Sequence, residues 1–398
     1  MLRHVLTAAL AAGCVGLLAS RGTSAEPERS RAETIDLAIT LAKQARKTED
    51  RVKYERVLAL LAPLDTPDNT DATVPFWEGV ALRHLKRPDE AVARYALADK
   101  LSPYDTWILN DWGIALSDSH QEERAIEKFR AAFQVSPENV WPYNNLGRSL
   151  DNLGRYAEAE PYLRTAVALD PAWAGSHENL GLSLAGQGKY GEALVLLHSA
   201  VQLEPRSASA QHALGWCLAR MKRWEEALQT GRQAIDLDET DPLHQDFVGW
   251  VLSEMGRFAE ALPYAERAVM TAPTVLDNRR DLAYIQYKLG RYDDLAANGR
   301  EMIRLEPQNA AGYDYLGGAQ ISKWQFGAAQ ESFRHACELS PNDSGFREDF
   351  QEARRKFWAL RAGIAIVIAL VALRIRRSRQ HRTPKPSLGE TPAAPASP

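Results

Sequence analysis

Residues 140–171 read VWPYNNLGRSLDNLGRYAEAEPYLRTAVALDP, and residues 174–205, which begin 34 positions later, read AGSHENLGLSLAGQGKYGEALVLLHSAVQLEP. Both stretches have glycine at the eighth place, alanine at the twentieth and twenty-seventh, and proline at the thirty-second. A fixed period of this length is typical of proteins built from stacked repeats. The register continues without a slip from residue 72 to residue 343, which predicts eight units of 34 residues.

The units keep their signature residues closely, and each of the four signatures occurs in seven of the eight units. The seventh unit departs from the pattern with Ala283, Leu295 and Met302, so we expect looser or shifted packing there. The fifth unit has Glu239 in place of the proline. The predicted units are residues 72–105, 106–139, 140–173, 174–207, 208–241, 242–275, 276–309 and 310–343.

Each signature has a physical cause. The spacing predicts two amphipathic helices of about fourteen residues per unit. Small side chains at places eight, twenty and twenty-seven let the two helices approach closely. Proline at place thirty-two cannot extend the second helix and so forces a turn into the next unit. One helix pair cannot bury its apolar face alone, so the units must stack on their neighbours.

On these positions the chain resembles the tetratricopeptide repeat family over about two thirds of its length. The resemblance implies an all-α, right-handed superhelical solenoid of helix-turn-helix units. It also implies a concave groove, lined by the first helices, that holds a peptide or a helix of a partner protein. Upstream, residues 26–71 contain a stretch, 32–62, that reads as two helices without the signatures, and we expect it to cap the array.

Two sets of residues are candidates for the groove. At place nine, three consecutive units carry an aromatic side chain, which predicts either a binding stripe or rings that pack on the adjacent helix. At places five and six, asparagines could bond to an extended peptide backbone, or could be solvated polar residues of the groove wall. The asparagines are similar to the ladder in the repeat domain of O-linked N-acetylglucosamine transferases. The candidates are Trp216, Trp250 and Tyr284 for the stripe, and Asn110, Asp111, Asn144, Asn145, Arg148, Glu178 and Asn179 for the polar wall.

The N-terminal residues 1–25 have the form of a secretory signal. A basic start, an apolar run over residues 5–18 and small residues before Glu26 predict export and cleavage. Two alternatives remain open: an uncleaved membrane anchor, and lipidation at Cys14.

Near the C-terminus, residues 362–373 read AGIAIVIALVAL, followed by an Arg-rich segment. We expect a capping or juxtamembrane helix over 344–356, a transmembrane helix over 357–375 and a disordered basic tail over 376–398. The orientation rests mostly on the N-terminal segment: if residues 1–25 start export, the repeats are expected on the exported side, periplasmic or extracellular, and the Arg-rich tail in the cytoplasm. The alternative is an apolar helix that packs on the last repeat.

Composition and motifs favour binding over catalysis. Residues 72–343 carry 27 basic and 38 acidic side chains, which favours neutral to basic protein or peptide partners and argues against nucleic acid. The stretch 186–191 matches the pattern GxGxxG, but it lies at a turn between two predicted helices. His177, His212 and His244 fall at different places in successive units, so we expect them not to converge.

We therefore predict no catalytic residue, no cofactor and no metal site, and no disulfide between Cys217 and Cys337. The function expected is that of a membrane-anchored scaffold that binds partners in its groove. The alternative is an auxiliary or assembly subunit of a membrane enzyme or of envelope machinery.

Overall fold

The computed structural model describes residues 30–48, 50–66 and 68–380, with side chains up to residue 374. The predicted secretory signal and the end of the predicted basic tail lie outside these residues. Within them the chain is an all-helical solenoid without a strand. It divides into two compact units, residues 1–205 (unit 1) and residues 206–398 (unit 2).

Unit 1 contains ten helices and one short 3-10 turn, Ala62–Leu64, within its described residues. The two helices upstream of the repeats pack around Ala38, Ala42, Tyr54 and Val57. The helices are α1 (Arg31–Thr48), α2 (Arg51–Leu61), α3 (Thr73–His84), α4 (Pro88–Leu101), α5 (Thr106–Asp118), α6 (Glu122–Val135), α7 (Val140–Asn152), α8 (Tyr156–Leu169), α9 (Ala174–Gly186) and α10 (Tyr190–Leu203).

Unit 2 continues the same alternation of first and second helices and ends in a much longer helix. Its helices are α11 (Ala208–Arg220), α12 (Trp224–Leu237), α13 (Pro242–Glu254), α14 (Phe258–Thr271), α15 (Leu276–Lys288), α16 (Tyr292–Leu305), α17 (Ala310–Ser322), α18 (Phe326–Leu339) and α19 (Ser344–Gln380).

The turn inside each helix pair has the same backbone conformation. The residue at place fifteen has a positive φ in all eight units, which ends the first helix in the left-handed conformation. Glycine occupies it without strain, as Gly154 does at φ 72°, and in four units a larger residue accepts the strain. The positions are Lys86, His120, Gly154, Gly188, Lys222, Gly256, Gly290 and Trp324.

The glycine at place eight lets the paired helices touch. A Cβ added at Gly147 would lie 2.4 Å from Cγ of Leu163, and one added at Gly113 would lie 2.5 Å from Cε1 of Phe129. Both partner side chains are fully buried on the second helix of the same pair. The glycines therefore form the floor on which these large core side chains pack.

The seventh pair, α15 and α16, differs from the others. Its two helices share less contact than any other pair in the array, in line with the looser packing expected from its missing signatures. A polar bridge joins them: Nδ2 of Asn298 donates to the backbone oxygen of Arg279 at 2.8 Å, and Nη1 of Arg279 donates to Oδ1 of Asn298 at 3.2 Å.

Helix α19 runs without a break from the last repeat into the apolar segment. Its first part packs on α18, where Ala353 is buried against Phe333 and Ala329. The segment Ser344–Arg374 is long and apolar enough to cross a membrane, and its apolar window is not buried in the protein. Ile366 and Ile368, for example, are about 60% exposed. The capping helix and the transmembrane helix predicted from the sequence are one continuous helix, and the prediction of a disordered tail is wrong for residues 376–380, which belong to this helix.

Candidate functional site

A large cavity of about 1340 Å³ opens in unit 1. Its walls are the first helices of four successive pairs (α3, α5, α7 and α9), together with α1. These helices contribute mainly the residues at places two, five, six and nine, which are spaced so that they fall on one helix face. All seven polar candidates from unit 1 line this cavity.

The asparagines bond to one another along the cavity wall. Nδ2 of Asn145 donates to Oδ1 of Asn110, and Nδ2 of Asn179 donates to Oδ1 of Asn144, each at 2.9 Å. Each bond joins place six of one first helix to place five of the preceding one. Asn110, Asn144 and Asn145 are buried. The amides thus link neighbouring repeats, a role that the repeat pattern alone does not predict.

Asp111 lies at the foot of this ladder. Burial raises the pKa of its carboxyl group, against the opposing attraction of Arg83 and Arg46. Nδ2 of Asn110 donates to Oδ1 of Asp111 at 3.3 Å. Nearby, burial and neighbouring cations lower the pKa of His84 to about 4, so this imidazole is uncharged at neutral pH. The foot of the cavity is therefore a half-buried polar cluster.

Three of the four tryptophans that line the cavity form an apolar surface on its wall. Trp107 and Trp141 are both at place two and are 59% and 40% exposed. The ring of Trp173 lies 4.4 Å from that of Trp141. It also lies over Gly175, where an added Cβ would be 3.0 Å from the indole. Trp173 thus takes the space that a side chain at place two of the next repeat, 174–207, would fill.

The charged side chains of the lining differ in whether they already make hydrogen bonds within the protein. Lys43, Arg46 and Arg148 are exposed. By contrast, Oδ1 of Asp71 accepts from the backbone nitrogen of Thr73, and Oδ1 of Asp105 accepts from that of Trp107. Both carboxylates thus accept backbone hydrogen bonds at the start of a helix, and Asp105 is the N-cap of α5, whereas the basic groups are exposed.

Family models of the tetratricopeptide repeat match residues 141–173 and 184–250. The chain is a tetratricopeptide repeat (TPR) protein. A search of curated proteins found no match.

Solved structures with similar helical arrays bear on the fold alone. A chain of the APC/C hetero-tetramer Cut9–Hcn1 has a TM-score of 0.54 at 16% identity, over 76% of this chain and 59% of that one. The TPR protein thus spans about three fifths of the length of that chain. PilF of Pseudomonas aeruginosa has a TM-score of 0.47 at 22% identity, over 54% of this chain and 96% of that one. YrrB, described as a TPR protein with an unusual peptide-binding site, has a TM-score of 0.36 at 24% identity, over 46% of this chain and 95% of that one.

The aromatic candidates of this TPR protein lie in unit 2 and are partly packed. The Trp250 ring meets Trp224 of α12 edge-on, with centroids 6.0 Å apart. Tyr284 meets Phe258 of α14 in the same way at 5.9 Å. The guanidinium of Arg220 lies 5.5 Å from the Trp216 ring. Trp250 and Tyr284 thus contact a neighbouring helix, whereas the contact of Trp216 is within its own helix, and Tyr284 is also 41% exposed.

The expectation that the histidines do not converge is wrong for two of them. Nδ1 of His212 on α11 lies 3.3 Å from Nδ1 of His244 on α13. His212 is at place five of its unit and His244 is at place three of the next unit. These two places lie next to each other on neighbouring first helices, so the histidines meet although their places differ. Burial and His244 lower the pKa of His212 to about 4.

The glycine-rich stretch 186–191 has the geometry of a helical turn. Gly186 ends α9, Gly188 adopts φ 81° in the turn and Gly191 lies in α10. A dinucleotide fingerprint requires a strand before the glycines. This stretch follows a helix, so it belongs to the TPR fold.

Proposed function

We propose that this TPR protein is a scaffold that binds an extended segment of a partner protein in the unit 1 cavity. A TPR array is suited to protein–protein interaction, and the typical TPR scaffold is not catalytic. The cavity carries the proposal, because its volume of about 1340 Å³ exceeds the roughly 300–1,000 Å³ of ordinary small-molecule pockets. A peptide of several residues fits such a space.

The chemistry of the lining suits a peptide in three ways. The exposed faces of Trp107 and Trp141 offer flat apolar surfaces to side chains or to proline rings. The amide groups that the ladder leaves over, such as Oδ1 of Asn145 and Oδ1 of Asn179, can pair with backbone groups. Arg148 can bind a carboxylate with both arms of its guanidinium group.

The net charge of the repeats and the basic side chains of the cavity have different effects on a partner. The acidic excess of the repeats favours partners that are neutral to basic overall, because it steers their approach. Inside the cavity, Lys43, Arg46 and Arg148 favour a carboxylate at the bound segment itself. We therefore expect the bound segment to carry an acidic residue or a chain terminus. The partly exposed stripe of Trp216, Trp250 and Tyr284 is proposed as a second contact surface.

Substitutions in the cavity test the proposal. A peptide selected by display on the detergent-solubilised full chain is expected to lose on the order of tenfold to a hundredfold in affinity for Trp141→Ala and for Arg148→Ala. Truncation removes the apolar face in the first variant and the carboxylate partner in the second. Fluorescence anisotropy measures both losses.

Matched controls remove the same side-chain types elsewhere. Trp324 and Arg130 are exposed and lie outside the cavity, so Trp324→Ala and Arg130→Ala should keep the affinity of the natural chain. Equal losses in the control and cavity variants would contradict a site in this cavity.

We further propose that α19 anchors the protein in a membrane, with the repeats on the exported side and the Arg-rich end in the cytoplasm. The exposed apolar part of α19 and the basic residues that follow it support this topology. In this position the protein could also act as an auxiliary or assembly subunit of a membrane enzyme or of envelope machinery.

Reporter fusions test the topology. A reporter fused after Pro341 should respond as exported, and one fused after Pro384 should respond as cytoplasmic. Fusions that both report the same side would contradict the span. Co-purification of a membrane enzyme in detergent would favour the auxiliary-subunit alternative.

A further inference from the structure

The turn between α12 and α13 brings together three groups that can bind a metal ion. Asp238, Asp241 and His244 are spaced three residues apart, and one ligand atom of each lies within 4.8 Å of the others. This is the turn in which Glu239 replaces the usual proline, so its sequence differs from the other turns between repeats.

Both carboxylates accept hydrogen bonds from the turn that carries them. Oδ1 of Asp238 accepts from the backbone nitrogen of Thr240 at 2.9 Å and from its hydroxyl at 2.7 Å. Oδ1 of Asp241 accepts from the backbone nitrogen of Leu243 at 2.9 Å. Oδ2 of Asp241 instead faces Nε2 of His244 at 4.0 Å, which is too long for a hydrogen bond.

The imidazole of His244 is held in place from its other side. This side chain is almost completely buried, and its Nδ1 lies 3.3 Å from Nδ1 of His212. When Nδ1 of His244 donates to a neutral His212, Nε2 of His244 carries a lone pair. That lone pair faces Oδ2 of Asp241, whose side chain is 41% exposed. The lone pair of Nε2 and the carboxylate of Asp241 repel each other, whereas a cation bound between them would attract both.

We propose that Asp238, Asp241 and Nε2 of His244 form a binding site for a divalent transition-metal ion of the Zn²⁺ type. One nitrogen and two carboxylate oxygens suit Zn²⁺, with water in the fourth position, whereas Mg²⁺ and Ca²⁺ favour oxygen ligands alone. His212 positions the ligand, because a metal-bound histidine usually donates its other N–H to an acceptor.

The geometry requires only a small closure around the ion. Ligand atoms at about 2.0–2.2 Å from a tetrahedral ion are roughly 3.4 Å apart. The present separations are up to 4.8 Å, and the two carboxylates lie in a turn, where their side chains can move inward. The bound ion would tie the turn before α13 to the His212–His244 pair and so stabilise unit 2.

The tag-free, detergent-solubilised full chain is first treated with a chelator, and its binding of Zn²⁺ then tests the proposal. Calorimetric titration with Zn²⁺ should give one site, and Zn²⁺ in excess should raise the melting temperature. Co²⁺ in place of Zn²⁺ should give the visible absorption of a four-coordinate ion.

Variants at the carboxylates separate binding from folding. Asp241→Asn and Asp238→Asn keep the oxygen that accepts from the backbone and remove the negative charge, so the fold is retained. Each should weaken Zn²⁺ binding at least about tenfold, and His212→Asn should weaken it about tenfold to a hundredfold by releasing His244. His198→Asn, an exposed histidine in unit 1, is the control and should bind as the natural chain does.

Two outcomes would overturn the site. One is a natural chain that takes up no Zn²⁺ and whose melting temperature Zn²⁺ does not change. The other is equal Zn²⁺ affinity in the natural chain and in Asp241→Asn and Asp238→Asn. Either result would leave the His212–His244 pair as a hydrogen-bonded core contact only.

Discussion

Replacing Gly147 by valine is expected to lower the free energy of unfolding of unit 1 by about 3 kcal/mol, the upper part of the usual range for overpacking. A Cβ atom at position 147 would lie only 2.4 Å from Cγ of Leu163. This clash would force α7 and α8 apart or move Leu163 out of its position. Urea unfolding followed by circular dichroism measures the change. Because repeat arrays can unfold in parts, the loss should appear first as early melting of unit 1.

Gly191 provides the matched control. It lies in the first turn of α10, and an added Cβ there would meet no atom within 4 Å. Gly191→Ala should leave the stability unchanged or raise it by up to about 0.5 kcal/mol, because alanine loses less backbone entropy in a helix. An equal loss in Gly147→Val and Gly191→Ala would contradict the close approach of the paired helices.

Replacing Asp314 by asparagine is expected to stabilise the protein at pH 8 and to have little effect at pH 4. Burial, with the negative charges of Asp349 and Asp343, raises the pKa of Asp314 to about 7. Oδ1 of Asp314 is buried without a hydrogen-bond partner in the described part of the chain. The carboxyl group is therefore neutral in the folded protein at mildly acid pH and costs stability once it ionises.

The sign follows from proton binding. Between the ordinary pKa of 3.8 and about 7, the folded state holds a proton that the unfolded state has released, so stability falls as the pH rises through this window. At pH 8 the variant should be more stable by on the order of 2 kcal/mol, a value reduced for the partial exposure of the group. Thermal unfolding at both pH values measures the difference.

The control for Asp314 is an exposed aspartate of the same unit. Asp236 lies on the surface of α12, so Asp236→Asn should change stability little at either pH. A stabilisation of Asp314→Asn that is the same at pH 4 and pH 8 would contradict a buried, ionising carboxyl group.

The helix pairs could be predicted from the sequence because their causes are local. Place eight must be small wherever a large side chain such as Phe129 or Leu163 packs against it, and this constraint recurs in most of the units. The turn at place fifteen was less visible. Four of the eight residues at this place are not glycine, so the left-handed turn is not marked by one conserved residue type along the repeats.

The details of the candidate site could not be predicted in the same way, because they depend on contacts between units. The bond from Asn145 to Asn110 joins residues 35 positions apart, one more than the repeat length. A search for equal places in successive units overlooks such a pair. The contact of His212 with His244 is hidden in a similar way, because these residues are 32 positions apart, two fewer than the repeat length. Places on the first helices do not reveal Trp173 as a lining residue, because Trp173 lies just before the first helix that it covers.

Site-specific photo-crosslinking of the selected peptide tests the central claim most directly. A photoreactive residue is placed in the full chain at position 141, in the cavity, or at position 195, where Val195 is exposed on the second helix α10. The binding site proposed in unit 1 requires covalent capture of the peptide from position 141 and none from position 195. Capture from position 195, with none from position 141, would contradict it.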